Sequence, residues 1–379
     1  MVTRFRQSST HYGPWRRCGY NFSAGVAMAI PNSGLACHNR SARYGRAAVL
    51  PPLEVLMRLY GPIGAGICAG IGLGALLYRF TPHQETAQGL YQQVPLRLGR
   101  FLFWLGIPLS IVGFMRRADL SGNLYLAPVV AWAAILLGLL CSRLWIRADQ
   151  KPWARPTQGS FSLAAMLGNT GYIGYPVVLL LPQLGVGVFG WALFYDALGT
   201  LLGSYGLGAI LASEMGGQSR SSSQSWQRQW STRLRAVVQN PIILAFGLGL
   251  GLKAIALPAW LDLALYRFAW AIVVLSLVLM GLRIQQLSSW QHLHRATIAV
   301  GIKMLVLPLA VGLGLTVLGI DGPPRLVMIL QAGMPCAFSN LVLAEAYDLD
   351  RDLSVTCVGL SSASLLFTLP LWLWAFSGE

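Results

Sequence analysis

The sequence predicts an all-α polytopic membrane protein of about ten transmembrane helices, and three observations predict it. Hydrophobic residues make up 55% of the 379, and Asp, Glu, Lys and Arg together only 11%, where a soluble globular domain carries about a quarter. So few charges do not cover a water-facing surface. The apolar residues also fall in long continuous runs, not in the short alternating segments of a transmembrane β-barrel, so each run must satisfy its own backbone as a helix. Finally, one long polar gap, Ser213 to Ala236, divides the runs into two sets of five. An odd number of helices per half turns the second half upside down, the inverted-repeat arrangement of many secondary transporters.

The first set is read at 57–78, 95–115, 122–144, 160–182 and 186–212, and the second at 237–254, 264–282, 296–318, 323–345 and 353–376. The chain thus divides into a basic extension (1–56), a first five-helix repeat (57–212), a basic loop (213–236) and a second repeat (237–379). In the first span, Gly64 to Gly74 looks superficially like a nucleotide-binding loop, but it has neither a preceding strand nor a P-loop lysine. Glycines so spaced let membrane helices pack closely. The sixth span is short and glycine-rich, and Arg267 lies early in the seventh. The tenth is plainly apolar, and its Trp372 and Trp374 fit an interfacial aromatic belt.

A net charge of +15 invites a nucleic-acid partner, but the basic residues sit in the gaps between apolar runs and do not cluster on one face of a polar domain. They orient the chain instead. The side of the central gap holds Arg79, Arg97, Arg100, Arg143, Arg147, Lys151, Arg155, Arg220, Arg228, Arg233, Arg235, Arg283, Arg295 and Arg351, against Arg116, Arg117, Lys253, Arg267 and Arg325 opposite. The positive-inside rule makes the first side cytoplasmic. Residues 1–54 conflict with it, carrying seven arginines and no acidic residue before Glu54. Three readings fit them: a mis-called start with the true one near Met57, an organellar transit peptide, or a basic tail. A bacterial inner membrane is the expected location, with a chloroplast envelope as the alternative if a transit peptide is present. The cysteines Cys18, Cys37, Cys68, Cys141, Cys336 and Cys357 show no metal-ligand or disulfide-framework spacing, and no cofactor is expected.

Two spans are interrupted, each the fourth of its half. One break reads Gly168-Asn169-Thr170-Gly171-Tyr172-Ile173-Gly174-Tyr175-Pro176 and the other Gly333-Met334-Pro335-Cys336-Ala337-Phe338-Ser339-Asn340. Proline removes a backbone donor and clashes with the preceding turn, and glycine lowers the cost of extended backbone. Both helices are therefore expected to unwind or kink at Pro176 and Pro335. Irregular backbone at membrane depth is tolerated where it is buried in protein or lines a cavity, and paired interruptions point to a transporter's binding site. Free N–H groups and the positive ends of half-helices favour an anion there. The expected substrate-binding residues are Asn169, Thr170, Gly171, Pro176, Pro335, Ser339 and Asn340. The bland reading is that Gly and Pro are frequent in membrane helices and only kink them. Two breaks in register, each with an asparagine, argue against it.

Ionisable residues inside a membrane are functional candidates. Asp196 falls in the middle of the fifth span and Lys303 in the first half of the eighth. The functional expectation is a proton-carrying Asp196, or an Asp196–Lys303 pair that makes and breaks during transport. The alternatives are a static pair, or a Lys303 that snorkels to the headgroups. Glu345, Asp348, Asp350 and Asp352 follow the ninth span as solvated loop charges, with Glu345 nearest the membrane as a third coupling candidate. His83, His292 and His294 fall in expected loops as surface residues.

GNTGYIGYP on the fourth helix and QAGMPCAFSNLVLAEAY on the ninth resemble the auxin efflux carrier family of bacterial permeases and plant carriers. Asn240-Pro241 before the sixth helix, Gly281-Leu282-Arg283 ending the seventh, and Lys303 with Pro308 in the eighth add to the resemblance, which covers about 57–376. It implies a ten-helix inverted repeat with crossed, broken fourth and ninth helices. It also implies a scaffold of helices 1, 2, 6 and 7 beside a mobile unit, and carboxylate substrates such as malate, malonate or auxin-like acids. A homodimer is in keeping with the family, though no motif establishes it. Proton and sodium coupling both stay open. No Walker A sequence serves an ATP-driven pump, and no intramembrane catalytic set appears. The expected function is a secondary carrier of small organic anions. A receptor that binds such a ligand without moving it is the alternative, although the central loop is too short for an output domain.

Overall fold

Backbone that meets no water must close its hydrogen bonds along itself, and helices account for the regular structure of the described residues, with no strand among them. The computed structural model describes residues 53–79, 88–216, 239–285 and 292–376. All belong to one unit, Ala48–Glu379. The readings of residues 1–52, of the gap from 217 to 238 and of His83 lie outside the described residues.

In chain order, α1 is Leu53–Arg79, and α2 (Gln88–Phe101) passes through a π turn (Leu102–Gly106) into α3 (Ile107–Met115). Next come α4 (Leu126–Ala148) and α5 (Arg155–Met166), then a break, a π turn (Thr170–Gly174) and α6 (Tyr175–Leu180). A run from α7 (Phe189–Tyr195) through α8 (Leu201–Gly203) to α9 (Ala209–Met215) holds two π turns, Asp196–Thr200 and Ser204–Gly208. Beyond the central gap lie α10 (Pro241–Lys253), α11 (Ala259–Gln285) and α12 (Leu293–Gly301), the last joined by a π turn (Ile302–Val306) to α13 (Leu307–Val317). The chain ends in α14 (Gly322–Ala332), α15 (Phe338–Ala346) and α16 (Arg351–Phe376).

Six of these helical stretches are long and apolar enough to cross a bilayer: Tyr60–Arg79, Gln93–Met115, Leu126–Ala148, Ala259–Ile284, Leu293–Val317 and Arg351–Phe376. They fall on the first, second, third, seventh, eighth and tenth expected spans. The chain is an integral, multi-pass membrane protein. The other four expected spans are the two broken helices, the π-interrupted fifth and the short α10. Asn240 starts α10 by accepting the Ile242 N–H on Oδ1 at 2.9 Å, with Pro241 in the first turn where its missing N–H costs nothing.

Small residues set the packing. α1 lies against α11 where a Cβ on Gly70 would come within 2.9 Å of the Gly281 Cα and one on Gly66 within 2.7 Å of the Leu277 Cβ, so these two glycines of the Gly64–Gly74 stretch make the close contact, whereas Gly64 and Gly72 meet nothing. α3 packs on both α10 and α11, while α4 packs on α5 and on the π turn opening at Asp196. The stretch from α12 to α13 packs on α14 and α16. π turns displace carbonyls from their usual donors, and two take an indole N–H instead. Trp132 donates to Leu198 at 3.0 Å and Trp372 to Met304 at 2.9 Å. Trp372 is thus buried and belongs to no aromatic belt, whereas Trp374 is exposed.

Several charges assigned to loops close helix ends instead. Arg116 and Arg117 both bind Asp262, at 2.6 and 3.1 Å. Arg116 also donates to the carbonyls of Leu252 and Ile255, and Lys253 returns the contact by donating to those of Met115 and Ala118. The ends of α3 and α10 thus cap each other, as cations at helix C-termini do. Arg325 is buried, donating to Thr316 at 3.1 Å and Asp321 at 3.3 Å. Asp350 is no solvated loop charge either. It accepts from the Thr157 hydroxyl at 2.8 Å and the Leu353 N–H at 3.0 Å, tying the start of α16 to α5.

Candidate functional site

The two interrupted helices meet at their breaks. Gly168 and Cys336 form an isolated antiparallel bridge, flanked by two main-chain hydrogen bonds. The Asn169 N–H donates to the Pro335 carbonyl at 2.7 Å, and the Ala337 N–H to the Leu167 carbonyl at 3.1 Å. Backbone released from each helix is therefore satisfied by the other, which is how irregular chain survives in an apolar interior. Cys336 pins the crossing further. Its N–H donates to the Ser361 hydroxyl at 3.0 Å and its thiol lies 3.3 Å from the Ala164 carbonyl.

The first helix does not unwind at Pro176. It stops at Leu167, whose backbone is extended (φ −106°, ψ 128°), and Asn169 caps the following π turn by accepting the Tyr172 N–H on Oδ1 at 3.1 Å. Pro176 lies inside the continuous helical stretch Thr170–Leu180, directly after its π turn, whose widened backbone accommodates the missing N–H without ending the helix. Pro335, by contrast, lies within the second break, and α15 starts after Ala337. Ser339 and Asn340 are therefore already helical. Ser339 stands 3.4 Å from the Ser204 hydroxyl.

Three buried amides flank the crossing with unused polar atoms. Asn169 Nδ2, both side-chain polar atoms of Asn340 and both of Gln331 have no hydrogen-bond partner. Each such group costs about 1–3 kcal/mol when left unpaired. Gln331 was not singled out in the sequence. A Cβ on Gly174 would run into its amide, so the π turn of the first broken helix leaves room for it.

Asp196 is buried, accepting from the Thr170 hydroxyl and from the Tyr175 hydroxyl at 2.7 Å. A Cβ on Gly171 would stand 3.3 Å from its Oδ2. The Thr170 hydroxyl is thus engaged by Asp196, and Tyr175, a second missed residue, completes its shell. Lys303 is buried too and does not snorkel; its ammonium donates to the Ala332 carbonyl at the end of α14. The Asp196–Lys303 pair does not form: each group is bonded elsewhere, and no ion pair joins them. Glu345 is exposed and paired with Arg351 at 2.9 Å, apart from the crossing. No cluster of metal-ligating side chains occurs among the described residues.

Residues 96–373, which contain the crossing, match the family described as membrane transport protein. An uncharacterized transporter of Methanothermobacter thermautotrophicus is 31% identical over 288 residues, covering 73% of this chain and 87% of the relative. An uncharacterized transporter of Methanocaldococcus jannaschii is 26% identical over 248 residues, covering 64% of this chain and 74% of the relative.

Proposed function

The chain belongs to the membrane transport protein family, that of the auxin efflux carriers, and from that premise we propose that it is a secondary active transporter of small organic anions, carboxylates above all, working by alternating access. The observation that carries this reading is the crossing with its unpartnered amides. Asn169 and Asn340 offer buried N–H donors beside two half-helix N-termini, a setting that favours a carboxylate without a permanent cation on the substrate. Desolvated amides left without partners are the groups a ligand oxygen would satisfy.

A 5+5 inverted repeat underlies the mechanism. In its support, packing partners exchange when each helix is replaced by its counterpart five places on. The first span packs on the seventh as the sixth does on the second, and the third on the fifth as the eighth does on the tenth. Spans 1, 2, 6 and 7 then form the scaffold, tied by the Arg116 and Lys253 caps. The remaining six carry the crossing past it. Asp196 is the coupling group in this reading. When ionised it holds the hydroxyls of Thr170 and Tyr175, both on the broken helix; when protonated it becomes a donor itself, so proton uptake alters the π turn next to the substrate. A bacterial inner membrane is the proposed setting, with the chloroplast envelope as the alternative that residues 1–56 would decide.

The test is flux of radiolabelled mono- and dicarboxylates into liposomes holding the full chain, with and without a pH gradient. Saturable, competable flux is the expected result. Binding of a carboxylate with no flux for any acid would replace the carrier with a receptor.

A further inference from the structure

We propose that Lys303 is a tethered counter-cation occupying the place where a carrier with such a crossing would otherwise bind sodium, so that this chain moves its anion without sodium. The inference rests on the transport reading above and deepens it by deciding which ion the crossing has room for.

Four half-helix ends converge at the crossing. Two are beginnings, at the caps Asn169 and Ala337, and two are endings, at Met166 and Ala332. Beginnings present N–H groups and positive potential; endings present carbonyls and negative potential. In carriers built from broken helices, anionic substrate groups sit at the former, while unwound carbonyls and C-terminal ends coordinate the coupling cation. In this chain a side chain already stands at the negative ends. The Lys303 ammonium donates to the Ala332 carbonyl, the last helical residue of α14. A Cβ placed on Gly168 would lie 2.8 Å from Lys303 Cε, 3.0 Å from its Nζ and 3.3 Å from the Met334 carbonyl oxygen. Gly168 is therefore the gap through which the lysine reaches the end of α14, where the Ala332 carbonyl accepts from it.

Two further observations separate this role from an ordinary buried lysine. Lys303 is 3% exposed, and no carboxylate pairs with it among the described residues. A buried ammonium without a counter-ion is costly, so carbonyl ends and helix dipoles are what hold it. It also sits in the π turn Ile302–Val306, a distortion that often marks functional positions. A second cation at the same carbonyls would face a fixed positive charge at contact distance, which repels it strongly in a medium of low dielectric.

The experiment is flux of labelled carboxylate into liposomes holding the full chain, in sodium chloride and in choline chloride. Wild-type flux should be the same in both. Lys303→Ala, checked for folding by its elution and melting temperature, should lose most of its flux in choline, and sodium or methylammonium should restore it in the variant while leaving the wild type unchanged. Lys303→Met, which fills the cavity without the charge, should lose flux and gain nothing from either cation. Wild-type flux that requires sodium overturns the inference, as does undiminished flux of Lys303→Ala in choline or a folded Lys303→Ala that neither cation restores. If neither variant folds, the wild-type comparison alone decides. Absence of wild-type flux in both buffers overturns the transport reading itself, a different result from flux that needs sodium.

Discussion

Asn169 and Pro335 are joined main chain to main chain, the N–H of one donating to the carbonyl of the other at 2.7 Å. Together with the reciprocal bond from Ala337 to Leu167, this makes each broken helix the template for the other. The breaks are therefore one structure, and changes at either should be felt at both.

Gly168→Ala tests that closeness directly. The added carbon would stand 2.8 Å from Lys303 Cε, and overpacking of this kind costs about 1–3 kcal/mol. The variant should melt earlier in detergent and transport poorly. A wild-type melting curve would show that the crossing yields more easily than its geometry implies.

Asn169→Ala and Asn340→Ala should separate activity from stability. Both amides carry unpartnered buried atoms, so truncation relieves a desolvation penalty of about 1–3 kcal/mol while removing the donors for a carboxylate. Flux should be abolished in both, with thermal stability unchanged or raised for Asn340→Ala, the usual mark of a group kept for function. Asn169→Ala also loses its cap on the Tyr172 N–H, a cost of about 0.5–2 kcal/mol that offsets the gain. Full transport by both variants would remove the substrate assignment.

Asp196→Asn should carry flux that no longer responds to a pH gradient. Tyr175→Phe removes a hydroxyl 2.7 Å from the carboxyl and should lower stability by about 0.5–1.5 kcal/mol when Asp196 is protonated and about 1.5–3 kcal/mol when it is ionised. An Asp196→Asn protein with the wild-type gradient response would strip the residue of its coupling role.

The tryptophans near the chain end should behave differently. Trp372→Phe leaves the Met304 carbonyl without its 2.9 Å donor and should cost about 0.5–1.5 kcal/mol. Trp374, exposed, should be replaceable by Phe with little change in melting temperature. Equal effects would mean that the indole bond to the π turn contributes nothing.

Hydropathy and Gly/Pro punctuation carried most of the architecture, because both report on the backbone's need for internal hydrogen bonds in lipid. Six spans and both interruptions are legible for that reason. At Pro176 the helix takes up the missing N–H in a π turn and continues to Leu180, while the unwinding itself falls nine residues earlier, at Leu167. Distance from a helix end suggests that Lys303 snorkels, yet it sits in a π turn whose mark in the sequence is Pro308, just as Pro108 and Pro176 follow two other π turns. Gln331 and Tyr175 lie inside the two quoted motifs, but their roles come from Gly174 and Asp196, contacts that only the folded chain makes. Arg116 and Lys253 read as loop charges because a cap on another helix looks the same in sequence.

Those mutual caps constrain how the protein is made. Arg116 reaches the carbonyl of Leu252, which is synthesised 136 residues later. At roughly 5–20 residues per second, the arginine waits on the order of 10 s for an acceptor that does not yet exist. Through that interval Arg116 and Arg117 lack the Leu252 and Asp262 partners that they hold in the folded chain. Arrival of the sixth span then brings Leu252, so the scaffold closes only after the second half has begun to insert.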